Sequence, residues 1–327
     1  MNGHTPLLEV RDLKTYFFTR RGTVKAVDGV SFSLSAGETL AVVGESGSGK
    51  SMTALSLVRL VPEPAGRIVG GEIRLEGQDI LKLRPHEMRR VRGGRIAMVL
   101  QDPMTSLNPA FSIGDQVGEA VREHQGVGGG ELRRRVVEAL SRLKIPSAES
   151  RMADYPHQMS GGMRQRVSGA IALSCQPRLL IADEPTTSLD VTIQAQYLDL
   201  LREIQERLGI SVIFITHDFG IVAATAHKVA VMYAGKIVEM GTTEEIFDTP
   251  AHPYTEALLR CVPRSDRLES RLLDIPGQPP DLANLPAGCS FAPRCPRAMS
   301  RCREVYPPEV EVSPGHLTKC WLAVTEG

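Results

Sequence analysis

The sequence predicts an α/β protein built on a mostly parallel sheet. Two observations predict it. Short apolar runs of strand length recur at residues 38–43, 179–182, 212–215 and 229–232, and segments with helical period separate them. The first of these runs leads straight into glycines and then a helix, the order by which a parallel sheet presents a loop at the carboxyl ends of its strands.

Ahead of that point, residues 7–10 and 26–34 read as strands. The second alternates apolar and polar residues (Val30, Phe32, Leu34), as a half-buried strand does. A helix is expected from Ser51 to about Leu60, where Pro62, Pro64 and Gly66 break it. Strands follow at 73–75 and 96–100. From Ile113 to about Leu143 the pattern turns helical, with Val136, Leu140 and Leu143 on one face. A glycine-rich joint at 126–130 interrupts it. After about Gly241 prolines become frequent, periodicity weakens and cysteines cluster. The expected division is a domain over residues 1–241 and a C-terminal extension over 242–327.

Composition narrows the classes. Of 327 residues, 42% are hydrophobic and 23% charged, which is ordinary for a packed globular chain. Lys+Arg and Asp+Glu are 38 each, so no basic field points to nucleic acid. No apolar run reaches the roughly 20 residues that span a bilayer. The first eleven residues lack a basic-then-apolar signal, so a cytoplasmic chain is the expectation.

Gly44-Glu45-Ser46-Gly47-Ser48-Gly49-Lys50-Ser51 fits the phosphate-loop pattern G-x-x-x-x-G-K-[ST] in the strand-to-helix context that pattern requires. Its glycines let backbone N–H groups turn toward phosphates, and the following helix N-terminus adds partial positive charge. Lys50 is placed for the β- and γ-phosphates, Ser51 for Mg²⁺, and Met52 closes the nucleotide set. The run 179–182 ends in Asp183 and Glu184. These read as a Mg²⁺ contact and as the group that orients or deprotonates the attacking water. Alone, such an acidic pair is more often an ordinary strand end; the upstream loop changes that. A second glycine motif, Met159-Ser160-Gly161-Gly162-Met163-Arg164-Gln165-Arg166, opens a helix with Ser160 as its cap.

With these motifs in this order, the chain resembles the ATP-binding cassette (ABC) ATPases. Residues 44–51 match their Walker A motif, 179–183 Walker B, and Ser160-Gly161-Gly162 the signature. Gln101 matches the Q-loop, Ser188-Leu189-Asp190 the D-loop, and His217 the switch histidine. Phe17, with Tyr16 as the alternative, is placed to stack on adenine. The resemblance implies a P-loop NTPase fold: a RecA-like core, an antiparallel β subdomain and a helical subdomain at about 102–176. It implies that two such chains sandwich two ATP molecules. Each ATP then meets Walker A of one chain and Ser160, Gly161, Gly162 and Asp190 of the other. Glu184 becomes the base, His217 and Lys50 contact the γ-phosphate, and Ser51, Gln101 and Asp183 surround Mg²⁺. Met163 departs from the glutamine common at its position, with the rest of the signature intact.

Residues 101–109 (QDPMTSLNP), His252-Pro253-Tyr254-Thr255 and the 288–296 stretch (GCSFAPRCP) resemble the dipeptide, oligopeptide and nickel importers within that family. This implies two membrane permease subunits, a second ATPase subunit and an extracytoplasmic substrate-binding protein as partners. It also implies a peripheral place on the cytoplasmic face of the membrane. Nickel or oligosaccharide cargo is the same-branch alternative to peptides. A soluble cassette in repair or translation is the rival of another class; paired cassettes or coiled-coil insertions would mark it, and neither is present.

Four of the six cysteines fall in the last 39 residues, at Cys289, Cys295, Cys302 and Cys320, spaced C-x5-C-x6-C-x17-C. The spacing leaves an iron–sulfur cluster, tetrahedral zinc and unliganded thiols all open. The resemblance implies a [4Fe–4S] cluster.

Overall fold

The computed structural model describes residues 5–100, 106–187, 189–262 and 274–324. The strands are β1 (Leu8–Thr19), β2 (Gly22–Leu34), β3 (Thr39–Val43), β4 (Gly66–Leu75), β5 (Gln78–Asp79), β6 (Ile96–Val99), β7 (Leu179–Asp183), β8 (Ser211–Ile215), β9 (Lys228–Tyr233), β10 (Lys236–Thr242), β11 (Val310–Ser313) and β12 (His316–Thr318). The helices are α1 (Lys50–Leu57), α2 (Pro85–Val91), α3 (Ile113–Gln125), α4 (Gly129–Arg142), α5 (Ala148–Arg151), α6 (Gly161–Leu173), α7 (Val191–Leu208), α8 (Phe219–Thr225), α9 (Thr243–Asp248), α10 (Pro253–Arg260) and α11 (Ser300–Glu304). None is long and apolar enough to cross a membrane.

The chain divides into two compact units. One comprises Met1–Leu34, Thr39–Leu81 and Ile215–Gly327; the other comprises Ser35–Glu38 and Lys82–Phe214. The expected boundary near Gly241 does not coincide with this division, because the C-terminal region packs inside the first unit.

In the first unit, β1 pairs antiparallel with β2 and with β4, giving a sheet of order β2-β1-β4-β5. Leu8, Val10 and Leu13 of β1 are buried beside Val30, Phe32 and Leu34 of β2. Each such side chain contributes roughly 1.5–3 kcal/mol when fully buried. A second group of strands runs β11-β12-β10-β9-β3. There β3 and β9 are parallel, from Leu40 opposite Lys228 to Val43 opposite Val231. All five residues of β3 are buried, as expected of a parallel strand covered on both faces. Between β9 and β10, Ala234 and Gly235 both have positive φ (47° and 80°), the hairpin turn whose twist suits two antiparallel strands. The C-terminal region then adds β12 and β11 at the edge of β10, with Glu239 opposite Thr318.

In the second unit, β6 and β7 are parallel, Ile96 opposite Leu179 through Val99 opposite Ala182. The long helical pattern after Ile113 resolves into two helices. Ser112 caps α3 by accepting from the Asp115 N–H, and Gly126, left-handed at φ 66°, ends it. Ile113, Val117 and Val121 form its buried stripe, and Val136, Ala139 and Leu140 that of α4. Gly169 of α6 lies where a Cβ would come 3.0 Å from the Tyr197 hydroxyl of α7, which sets how closely these helices approach.

Candidate nucleotide site

The phosphate loop leaves the buried end of β3 and turns into α1. Two of its glycines are required by space as well as conformation. At Gly44 (φ 149°) a Cβ would stand 2.2 Å from the Met232 carbonyl oxygen, and at Gly49 (φ 107°) 2.3 Å from that of Ala26. Gly47 (φ 77°) has open space around it, so it serves the turn alone. Ser46 is exposed, and Ser51 and Met52 are half-buried at the start of α1. Ser48 donates its N–H to the Glu45 carbonyl at 3.2 Å and accepts from the Gly235 N–H at 2.9 Å. Lys50 is buried, and its ammonium donates to the carbonyls of Gly44 (2.7 Å) and Glu45 (2.9 Å). These are neutral acceptors; a phosphate oxygen entering the loop offers the ammonium a charged and stronger one.

Phe17 is half-buried on β1, against Gly66 of β4, whose added Cβ would meet the Phe17 ring at 2.8 Å. It shares a strand face with Thr15, whose hydroxyl is 2.7 Å from that of Ser56 in α1. Phe17 therefore stands on the side of the phosphate-loop helix. The alternative, Tyr16, has its hydroxyl committed to Asp28 at 2.7 Å. His217 is exposed, one residue before Asp218, which caps α8 through the Gly220 and Ile221 N–H groups.

The second unit carries the acidic pair and the signature. Asp183 ends β7 and is buried. Glu184 follows at φ 45°, a left-handed conformation unusual for a side chain of its size, and its carboxylate accepts from the Thr187 hydroxyl at 3.1 Å. Backbone held off its preferred regions is a recurrent mark of functional sites. Ser160 caps α6, accepting from the Met163 N–H at 3.3 Å, while Arg164 ties the preceding turn through the carbonyls of Pro156 and Met159. Asp190 caps α7 by accepting from the Ile193 N–H at 3.0 Å. A Cβ on Gly162 would meet the Ile193 side chain at 2.8 Å. The signature and the D-loop residue thus line one surface cleft, with Ser160, Gly161 and Asp190 exposed in it. Gln101 and Ser188 lie outside the described residues.

The four C-terminal cysteines converge more than their separation in sequence suggests. Cys289, Cys295, Cys302 and Cys320 line one apolar pocket with Phe291, Trp321 and His252. The Cys289 N–H donates to the Cys302 carbonyl at 2.7 Å, and a Cβ on Gly288 would overlap that same oxygen, so only glycine permits the approach. Burial pushes the Cys289 thiol up to about 11 and raises those of Cys295 and Cys320. His252 is buried; its Nδ1 accepts from the Tyr254 N–H at 3.0 Å, and its Nε2 finds no hydrogen-bond partner. Residue types and the orphaned imidazole nitrogen suit a thiolate-bound group. The arrangement itself does not: among the described residues no three or more His, Cys, Asp or Glu side chains stand together as a metal-ligand set. The expected [4Fe–4S] or zinc site at Cys289, Cys295, Cys302 and Cys320 is therefore not formed as a closed site. The thiols converge on a pocket, but their sulfurs are not drawn to one point.

Fold and motifs together define an ATPase of the ABC class. The ABC transporter family model matches residues 27–187, and the model for the oligopeptide/dipeptide transporter C-terminal region matches residues 238–302. The chain belongs to the family of ABC transporter ATP-binding proteins, which hydrolyse ATP to energise transport. It is 51% identical to a probable peptide ABC transporter ATP-binding protein of Sinorhizobium fredii, over 96% of this chain and 94% of that one. The dipeptide transport ATP-binding protein DppD of Bacillus subtilis is 51% identical over 97% of this chain and 94% of its own. Among solved structures, the ABC transporter component cbiO1 of Clostridium perfringens is 30% identical with a TM-score of 0.63, covering 75% of this chain and 92% of that one. A dimeric ATP-binding cassette bound to ADP and phosphate shares the fold, with a TM-score of 0.65 at 24% identity, over 72% of this chain and 98% of that one.

What residue patterns did not disclose is the hold of the C-terminal region on the phosphate loop. Arg294 grips the Glu45 carboxylate with two hydrogen bonds, and the Tyr254 hydroxyl accepts from the Glu45 N–H at 2.8 Å. Arg294 lies beside Cys295 in a motif recognised for its cysteines, and nothing in that motif signals an ion pair.

Proposed function

We propose that this chain is the ATP-hydrolysing subunit that powers import of di- and oligopeptides through a membrane transporter. The observation that carries this reading is identity of about half, over nearly the whole chain, with ATP-binding proteins named for peptide transport. The C-terminal match over residues 238–302 supports the same branch.

In this reading, residues 44–51 wrap the triphosphate, with Lys50 on its terminal phosphates and Phe17 beneath the adenine. Ser51 and Asp183 offer the hard oxygen donors that Mg²⁺ takes, joined by Gln101. Mg²⁺, when bound, neutralises charge on the β- and γ-phosphates. Glu184 takes the proton of the attacking water, and His217 orients the γ-phosphate. The open cleft holding Ser160, Gly161, Gly162 and Asp190 supports completion by the phosphate loop of a second ATPase chain, identical or paralogous, because a capped helix N-terminus suits an anion. Two permease subunits and an extracytoplasmic binding protein complete the assembly, with this chain peripheral on the cytoplasmic face. The test is reconstitution of that complex in proteoliposomes. ATP hydrolysis should rise with peptide-loaded binding protein, and labelled peptide should accumulate. Stimulation by nickel or oligosaccharide instead would move the cargo within the same branch.

Residues 108–111 are proposed as the surface that receives the permease. Asn108 and Pro109 are exposed, and Phe111 is 53% exposed. Gln116 of α3 pins the turn by accepting from the Asn108 N–H at 2.9 Å and donating to its carbonyl at 3.0 Å. Substituting Asn108 or Pro109 should cut import severalfold while ATP hydrolysis continues. Import that stays in step with hydrolysis would remove this assignment.

The cysteine pocket supports one finer proposal. The pocket shared by the four cysteines supports the thiolate-ligated group that the branch resemblance implies, iron–sulfur rather than zinc, with the sulfurs drawn together when the group binds. Protein purified without oxygen should carry iron and acid-labile sulfide. Finding neither iron nor zinc would leave four free thiols.

A further inference from the structure

Glu45 is the second residue of the phosphate loop and the loop's only acidic side chain. Every polar group it has is engaged. Its N–H donates to Tyr254 Oη at 2.8 Å. Its carbonyl accepts from Lys50 Nζ at 2.9 Å and from the Ser48 N–H at 3.2 Å. Its carboxylate accepts two bonds from Arg294, 2.6 Å from Nη1 and 2.9 Å from Nη2.

Arg294 is itself locked. Its side chain is only 4% exposed and also donates to the Ile275 and Pro276 carbonyls, both at 3.0 Å, and to the Tyr233 hydroxyl at 3.3 Å. Tyr233, Tyr254 and Phe291 pack ring against ring, with centroids 4.5–5.3 Å apart. Arg294 and Tyr254 belong to the C-terminal region, 249 and 209 residues from Glu45. A fork of two charge-assisted bonds fixes geometry as well as charge.

We propose that Arg294 and Tyr254 are positioning residues for nucleotide binding. They pin Glu45 so that the phosphate loop is preformed and its carboxylate neutralised before a triphosphate arrives. Without Arg294, a bare carboxylate stands in a loop built for polyanions, and the loop has to be ordered at the expense of binding free energy. The C-terminal region thereby acts in cis on the nucleotide site, through side chains that need not touch the nucleotide. This rests on the reading of residues 44–51 as the ATP site.

The loop is equally preformed for substrate and transition state, so its loss removes uniform binding: KM rises while kcat holds. The experiment measures MgATP binding to the full-length chain by calorimetry, and KM and kcat of the assembled transporter. Arg294→Ala should raise both Kd and KM about tenfold and leave kcat within about twofold. Tyr254→Phe should raise Kd about threefold, and Arg294→Lys should fall between wild type and Arg294→Ala, since it keeps the charge and loses the fork. Because both partners act through one contact, Glu45→Gln combined with Arg294→Ala should bind no worse than Arg294→Ala alone. Unchanged Kd in folded Arg294→Ala, a loss confined to kcat, or additive losses in the double variant would each overturn the proposal. If Arg294→Ala does not fold, Arg294→Lys and Tyr254→Phe decide by the same criteria. Failure of the wild-type chain to bind MgATP would instead overturn the ATP-site reading.

Discussion

Glu184→Gln should bind MgATP and all but stop hydrolysing it. General-base catalysis contributes typically 10²- to 10⁴-fold, so turnover should fall by about that factor. The amide keeps the size and an acceptor oxygen of the carboxylate, so the local fold should persist. The surroundings support both halves of the expectation. Glu184 follows the buried Asp183 at the end of β7, in a left-handed backbone conformation, and the Thr187 hydroxyl donates to its carboxylate. That donor fixes the direction of the side chain without neutralising it. Single-turnover measurement of γ-phosphate release, set beside nucleotide binding, checks the expectation. Hydrolysis at the wild-type rate would strip Glu184 of its role, and loss of nucleotide binding would show that it serves the fold instead.

The sequence disclosed this site because phosphate chemistry is local. Gly44, Gly49, Lys50 and Ser51 sit within eight consecutive residues, and the backbone conformations the glycines require are written in residue type. The same holds for the cap at Ser160, whose hydroxyl accepts from the N–H three residues on; the caps at Asp190 and Ser112 emerged only from the structure. Strand lengths were less legible. β1 runs for 12 residues where the apolar signal covered only residues 7–10, because its outer half is stabilised by pairing with β2 and β4 rather than by its own burial. Least legible was the C-terminal region. Weak periodicity after Gly241 suggested a separate extension, yet β12 joins β10, and Arg294 and Tyr254 reach the phosphate loop. Such contacts depend on chain closure over some two hundred residues, and no local pattern encodes it. The cysteines show the converse limit. Their spacing suggested a ligand set, and folding does gather them around one pocket, but spacing could not say whether the sulfurs meet.

The stability of that C-terminal packing should depend on one carboxylate. Glu239 lies in β10 at 0% exposure and accepts from the N–H groups of Ala251 (2.6 Å) and His252 (3.0 Å). His316 Nε2 of β12 lies 2.8 Å from the same side chain. A single side chain thus ties β10 to the start of α10 on one side and to the added strand on the other. Replacement by alanine would leave two backbone donors and an imidazole buried without partners. Each buried donor left without an acceptor in this way costs about 1–3 kcal/mol. Glu239→Ala should therefore lower the denaturant midpoint substantially. Glu239→Gln should lower it less, because one oxygen acceptor remains while the amide N–H₂ faces a donor. The damage should also travel. α10 begins directly after His252 and carries Tyr254, whose hydroxyl accepts from the Glu45 N–H. Folded Glu239→Ala should thus bind MgATP more weakly than wild type, although residue 239 is no part of the phosphate loop. A stability unchanged by Glu239→Ala would show that water or rearranged backbone replaces the carboxylate. Loss of stability with undiminished MgATP affinity would show that α10 holds Tyr254 in place without this anchor.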